Sequence, residues 1–405
     1  MLSYKFRIYP NANQIKILEE YLNSCKDMYN LLVDEVKKAE RENKNISIND
    51  LKNIVSEKSK LFHKFTKVYP RLLEMMAFQL WNNMNVLKKM GLNASRLKFK
   101  KRIKTLNYNR RGFSVNLENK RIFLEGVGNV KIKIHREFYG DLRGIIVKKE
   151  ADRWFAIFQI ENEEKTEAKK TNRAVGIDVG IENFAVDSDG NVIANPGYLE
   201  KEIDKIVYLC KRLSLKKKNS KNSQKLRLKI ERLYNKIRNR RRDFLHKLSK
   251  YYVDNYDFIC VEKLDIEKMI KQRLASRLRI KDAAWRRFVQ MLFYKAQRAG
   301  KKVFLVDSRD TSQRCSRCGC LNRKILKLSD RVFICRACGF KSDRDFNAAV
   351  NILKSGLGRP FVPVDTYDSR ERSRLEKVPL LRTISVKEVI EGRVLSMRQE
   401  ARSNE

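Results

Sequence analysis

The chain has 405 residues, longer than one simple hydrophobic core organises, and sets 90 Lys and Arg against 48 Asp and Glu for a net charge of +42. With 42% hydrophobic residues it is too apolar for a disordered polycation, so the excess charge belongs on folded surfaces that need a polyanionic partner, nucleic acid first. No run approaches the ~18 apolar residues of a membrane span, and MLSYKFRIYP lacks a signal-peptide core; a soluble, cytoplasmic protein is expected, with binding to a membrane surface a minor alternative for so basic a chain.

The opening strand, SYKFRIYP, stops at Pro10, and NANQ supplies turn and capping residues for a long helix. Its apolar positions Ile15, Leu18, Leu22, Cys25, Tyr29, Leu32 and Val36 step by three and four along one stripe. More helix is predicted from about Ser47 to Phe65 and, beyond Pro70, from Arg71 to Met90. Between Leu97 and Glu161 the period shortens to runs such as FSVNL, RIFLEG, VKIKI, GIIVKK and WFAIFQI, broken by Gly, Asn and Asp. They predict a small β-barrel made of residues 1–10 and 97–163, with 11–96 as a helical insertion and ENEEKTEAKKTN as a polar linker.

A second region opens with AVGIDVGIENFAVDSDG, a hairpin that resumes as NVIANP. The stretch from Lys211 to Lys250 holds 17 Lys and Arg against 2 acids, with Leu226, Ile230, Leu233, Ile237, Phe244 and Leu248 on one face; it predicts a helix or helical pair with cationic sides. The strand DFICVEKL, a helix around AAWRRFVQMLFYKAQRAG and the strand KVFLVD complete an α/β order. Residues 355–405 carry no strong period and are expected to form a flexible C-terminal tail.

Of the eight cysteines, Cys25, Cys210 and Cys260 stand alone in apolar contexts and read as small buried hydrophobes. Cys315, Cys318, Cys335 and Cys338 form two C-x2-C pairs separated by sixteen residues, the spacing of a structural zinc ribbon, here over 309–342. Four thiolates leave no open coordination position, so that metal is not catalytic. Cys320 is a fifth thiol without an assigned role. The three histidines, His63, His135 and His246, lie far apart, so any chemistry falls to carboxylates.

Phosphodiester cleavage with two magnesium ions needs hard oxygen ligands from several parts of one unit. Asp178 in AVGIDVG and Glu262 in FICVEKL each end an apolar strand, where an unpaired acid is costly. Asp345 opens DRDFNAAVNIL, whose Phe346, Ala349, Val350 and Leu353 predict a helix packed on the sheet. Singly, Asp178 also reads as a turn acid before Gly180, Glu262 as a solvated strand end and Asp345 as a helix N-cap, with Asp343 competing for the third place. Asp187 and Asp189 read as turn residues. Jointly, the three acids fit a ribonuclease-H-like fold: a hairpin-led mixed sheet with acids at neighbouring strand ends and on a late helix.

GIDVGIENFAV, ICVEKL, TSQRCSRCG and FICRACGFKSDRDFNAAVNIL resemble the nuclease motifs and zinc ribbon of the TnpB (OrfB) family, transposon-encoded proteins related to the type V CRISPR nucleases. YKFRIYPNANQ resembles the family's start, and CGC at Cys320 departs from its usual pattern. The resemblance implies an RNA-guided DNA endonuclease of a transposable element, with guide RNA and target DNA as partners and a cytoplasmic, nucleoid-associated place in a prokaryote. It implies a RuvC-like catalytic triad of Asp178, Glu262 and Asp345 holding Mg2+, zinc on Cys315, Cys318, Cys335 and Cys338, and a nuclease domain over 173–308 and 343–354. The barrel would act as a wedge and the insertion as a recognition module, with KKMGLNASRLKFKKRIK and the helices of 211–250 as phosphate contacts. A DDE-type transposase and a guide-directed DNA-binding protein without cleavage are the competing readings.

Overall fold

The computed structural model describes residues 2–161, 170–264, 269, 277–307, 310–322 and 331–358 and the backbone of 382–384. Most of the expected linker (162–169), part of the expected ribbon (309 and 323–330) and most of the expected tail (359–381 and 385–405) lie outside the described residues. Two compact units emerge, Met1–Glu164 and Lys165–Glu405.

In the first unit β1 (Leu2–Tyr9) leads into α1 (Ala12–Arg41). The helix starts where it does because the Asn11 side chain accepts from the Gln14 backbone while Gln14 reaches back to the Asn11 N–H. Ser47 and Asp50 make the same reciprocal cap for α2 (Ile48–Leu61), and after α3 (His63–Thr66) Pro70 occupies the first turn of α4 (Pro70–Lys89). The strands follow: β2 (Thr105–Asn109), β3 (Phe113–Asn116), β4 (Arg121–Leu124), β5 (Gly128–Lys133), β6 (Asp141–Glu150) and β7 (Arg153–Glu161).

Among the described residues these strands pair antiparallel in the order β2-β6-β7-β1-β5-β4-β3. The sheet curls into a half-barrel, and β2 and β3 form its two open edges in place of a closed barrel. Alternation sets its faces: Trp154, Ala156, Phe158 and Ile160 of β7 are buried with Phe6 and Ile8 of β1 against Leu18, Leu22, Cys25 and Leu72 of the helices. Each fully buried large side chain contributes roughly 1.5–3 kcal/mol.

The second unit begins with β8 (Ala174–Val179), β9 (Asn183–Asp187) and β10 (Asn191–Ala194). Basic residues then populate α5 (Ile203–Ser214) and α6 (Lys221–Asn255), a helical pair broken where Asn219 turns left-handed (φ 65°) and Ser220 caps α6. β11 (Phe258–Lys263), α7 (Arg277–Ala283), α8 (Trp285–Arg298) and β12 (Lys302–Asp307) follow. Beyond them come β13 (Val332–Ile334), β14 (Lys341–Asp343), α9 (Arg344–Gly356) and β15 (Arg382–Ile384).

The main sheet runs β12-β11-β8-β9-β10-β15, with β8, β11 and β12 mutually parallel and β9 antiparallel to both its neighbours. β15, drawn from the stretch expected as tail, pairs parallel with β10. Helices cover both faces. Val175, Ile177 and Val179 pack with Phe244, Leu248 and Tyr252 of α6 and Trp285, Phe288 and Leu292 of α8. On the opposite face Val186 and Val192 meet Phe346 and Val350 of α9, and Cys260 and Val306 meet Ile352. That second face also carries the candidate acids.

Candidate active site and four-cysteine centre

Period-2 alternation decides where the strand acids point. In β8 the residues flanking Asp178, Ile177 and Val179, belong to the α6/α8 core, so Asp178 projects towards α9. In β11, Ile259 and Val261 belong to the same core, which turns Cys260 and Glu262 towards α9 as well. The parallel register pairs Val261 with Ile177. Asp178 and Glu262 each follow by one residue, side by side at the C-terminal ends of neighbouring strands.

Asp345 enters from the first turn of α9. Its neighbour Asp343 is the N-cap, accepting from the backbone N–H of Asp345 at 2.9 Å and of Phe346 at 3.0 Å. The two acids thus separate by role: Asp343 starts the helix, and Asp345 is left to face the sheet.

Burial, then the negative charges of Glu262 and Asp345, raises the Asp178 carboxyl well above its ordinary range. Glu262 is raised by burial and by Asp307, with an opposing hydrogen bond from the Thr311 hydroxyl at 3.2 Å. Asp345 is raised by burial and Asp343 against the pull of Arg344 and Arg331, whose side-chain nitrogens lie 3.6 and 3.3 Å from it. Three partly desolvated carboxylates on one face, two of which raise the third, are an oxygen-only donor set suited to a hard divalent cation. A second donor set lies nearby in sequence: four cysteines whose sulfurs all lie within 4.8 Å of one another.

The quartet comprises Cys315, Cys318, Cys335 and Cys338, with Cys315–Cys338 and Cys318–Cys335 sulfur separations of 3.7 and 3.6 Å. A tetrahedral site with bonds of ~2.3 Å places its sulfurs roughly 3.8 Å apart, whereas a disulfide would need ~2.05 Å. Each knuckle is closed by a glycine with positive φ, Gly319 (78°) and Gly339 (68°), which donates back to Cys315 and Cys335. Cys320 is exposed and outside the quartet. Of the isolated thiols, Cys25 and Cys260 are buried as expected, while Cys210 is exposed on α5.

Asp187 and Asp189 lie in the β9–β10 turn, but Asp187 is fully buried: its Oδ1 accepts from the Asp189 and Asn191 backbones and its carboxylate from the Asn191 amide. Sequence reasoning passed over Thr311 and Arg331, which touch two of the three candidate acids. Their signal is faint: a hydroxyl and a guanidinium beside a cysteine motif in a chain rich in both. In the first unit the basic stretch around Lys100 is anchored by Asn30, which bonds both the N–H and the C=O of Lys100. The Lys100 ammonium lies 3.7 Å over the Tyr29 ring, and burial pushes it down to about 8.

Among the described residues no helix is long and apolar enough to cross a membrane. The fold and site define a two-unit chain in which a half-barrel accompanies an α/β sheet bearing three acids and a four-cysteine module.

Family models match over residues 157–273 (OrfB, "Probable transposase"), 285–352 ("Cas12f1-like, TNB domain") and 1–45 ("Helix-turn-helix domain"). The last name does not describe the fold here, where residues 2–41 form one strand and one long helix. The chain is 33% identical over 259 residues to "Putative RNA-guided DNA endonuclease InsQ" of Escherichia coli (strain K12), covering 60% of this chain and 64% of that one. It is 36% identical over 225 residues to "Putative RNA-guided DNA endonuclease" of Streptomyces pristinaespiralis, covering 55% of each. The matches thus span between half and two thirds of these relatives' length. In overall fold it is similar to the protein of a Cas12f1-sgRNA-target DNA complex, with a TM-score of 0.55 at 15% identity over 84% of this chain and 83% of that one. Separate stretches of the chain are thus similar to the OrfB family and to the Cas12f1-like TNB domain.

Proposed function

We propose that the chain is an RNA-guided, magnesium-dependent DNA endonuclease of a transposable element. The observation that carries this reading is the convergence of Asp178, Glu262 and Asp345 on one face of the sheet, from two neighbouring parallel strands and the helix packed over them. The strand order β12-β11-β8-β9-β10 with β9 antiparallel supports a RuvC-like, ribonuclease-H-like assignment for 173–308 and 343–354, with the zinc ribbon of 309–342 inserted before the last helix. The names of the relatives and the +42 charge support guide RNA and target DNA as partners. The half-barrel with its helices would grip the nucleic acid as wedge and recognition modules.

Asp178, Glu262 and Asp345 would hold two Mg2+ ions. Such ions, when bound, activate a water and stabilise charge on the scissile phosphate. The chain's own part is to set the ligands. β8 and β11 fix the spacing of Asp178 and Glu262, Asp343 fixes the start of α9, and Arg344 and Arg331 offset the charge of Asp345. The four-cysteine module would bind zinc, and its closed thiolate set keeps that metal out of the reaction.

The test is purification from cells carrying the flanking DNA, sequencing of bound RNA, and cleavage of a matching target library with Mg2+. Defined RNA with cuts abolished by Asp178→Ala, while RNA and target binding persist, is the expected result. Bound RNA without cuts would favour guide-directed binding alone, and no specific RNA would favour a DDE-type transposase.

A further inference from the structure

α9 carries more than Asp345. Along one of its faces Asn347, Asn351 and Lys354 recur at spacings of four and three, the stripe of neighbours on a helix. All three bind the segment that leads into the first cysteine knuckle. The Asn347 amide accepts from the Ser316 backbone N–H at 2.9 Å and donates to the Arg314 carbonyl at 2.8 Å. The Asn351 amide donates to the carbonyls of Thr311 (2.8 Å) and Arg314 (2.6 Å), and the Lys354 ammonium to the carbonyl of Ser316 (2.6 Å). Asn347 and Asn351 are 0% and 1% exposed. Both polar atoms of Asn347 and the amide nitrogen of Asn351 are bonded in this way, which offsets the cost of burying them, so the ladder is a fixed register between helix and segment.

That segment begins at Thr311, itself buried, whose hydroxyl donates to Glu262 Oε1. A glutamate at a strand end otherwise samples several rotamers. One short stretch of chain therefore meets Glu262 at one end and the thiol quartet at the other, while its middle is stitched to the helix that bears Asp345.

We propose that Thr311 is a positioning residue for Glu262, held in place by the Asn347/Asn351 ladder, so that the four-cysteine module and the carboxylates form one mechanical unit. This rests on the carboxylate reading given above. Thr311 acts through Glu262 and touches no substrate. Removing an outer hydrogen-bond partner of a metal ligand commonly costs 10–100-fold in metal affinity.

The test is Mn2+ binding to the full-length, nucleic-acid-free protein, read by the electron paramagnetic resonance of free Mn2+, beside cleavage at varied Mg2+. Thr311→Val should weaken Mn2+ binding about ten-fold and raise the Mg2+ needed for half-maximal cleavage, with zinc content unchanged. Thr311→Ser, which keeps the hydroxyl, should restore both. Asn351→Ala, which releases the Thr311 carbonyl and leaves the hydroxyl in place, should weaken Mn2+ binding to a lesser degree. This second variant decides the matter if Thr311→Val does not fold.

Unchanged Mn2+ affinity in Thr311→Val, with Glu262→Gln impaired, overturns the positioning role and leaves the active site intact. Unchanged affinity in Asn351→Ala overturns the ladder. Unchanged affinity in Glu262→Gln overturns the carboxylate site and this proposal with it.

Discussion

Gly176 of β8 lies directly beneath Ala349 of α9: a β-carbon on the glycine would run into the Ala349 carbonyl oxygen and stand 2.6 Å from the Leu353 backbone nitrogen. Backbone cannot swing aside as a side chain can, so the helix must lift. Gly176→Ala is expected to destabilise the second unit by about 1–3 kcal/mol. It should also lower cleavage by displacing Asp345, the acid on that helix. Urea unfolding beside a cleavage assay checks it, and wild-type values in both would show that α9 tolerates the shift.

The thiol quartet should behave as a folding element. Cys335→Ser removes one ligand from the zinc set proposed above, so zinc content should fall and the four-cysteine module should lose its fixed structure. Elemental analysis with a thermal melt measures this. A variant that keeps full zinc and an unshifted melt would exclude Cys335 as a ligand. Cys320→Ser, outside the quartet, should leave both unchanged.

Stability should depend on pH through Asp187. Burial, against the hydrogen bonds of Asn191, pushes its carboxyl up to about 7. The folded chain therefore holds this proton more tightly than the unfolded chain, in which the group titrates near ~3.9. Its contribution is fully present below pH ~4 and is lost as pH rises through about 7. Asp187→Asn keeps an acceptor for the turn and removes the titration, and should flatten the stability profile between those limits. Chemical denaturation at several pH values reads the slope; equal slopes in both proteins would refute the assignment.

In the first unit Glu150, 7% exposed, meets Lys5 at 2.6 Å and Lys148 at 2.9 Å. Removing only the acid strands a lysine that also lies 3.9 Å over the Phe155 ring. Glu150→Ala should cost roughly 2–4 kcal/mol, and Lys5→Met with Glu150→Leu should recover most of it. Additive losses in the double variant would show that the pair is not coupled.

The parts of this protein legible in its sequence are those governed by local period and spacing. Alternation through FICVEKL assigns Glu262 a face, and the two C-x2-C pairs specify a thiol quartet with their knuckle glycines. Which of Asp343 and Asp345 caps the helix depends on one backbone geometry that DRD fits in two registers. The open half-barrel was not legible either, because closure depends on whether the distant edges β2 and β3 meet, and neither strand's residues encode that. Thr311 and its asparagine ladder escape notice because their meaning comes from a helix some forty residues away.

The place of β1 has a further consequence for how the chain is made. Ile8 pairs with Ile132 on one side and Trp154 on the other, over a hundred residues downstream. During synthesis β1 must therefore wait for both of these partners until most of the first unit has left the ribosome. Loop closure on that scale slows folding. The capped α1 beside it is local and can form at once, giving the nascent strand an apolar surface to shelter on before its partners arrive.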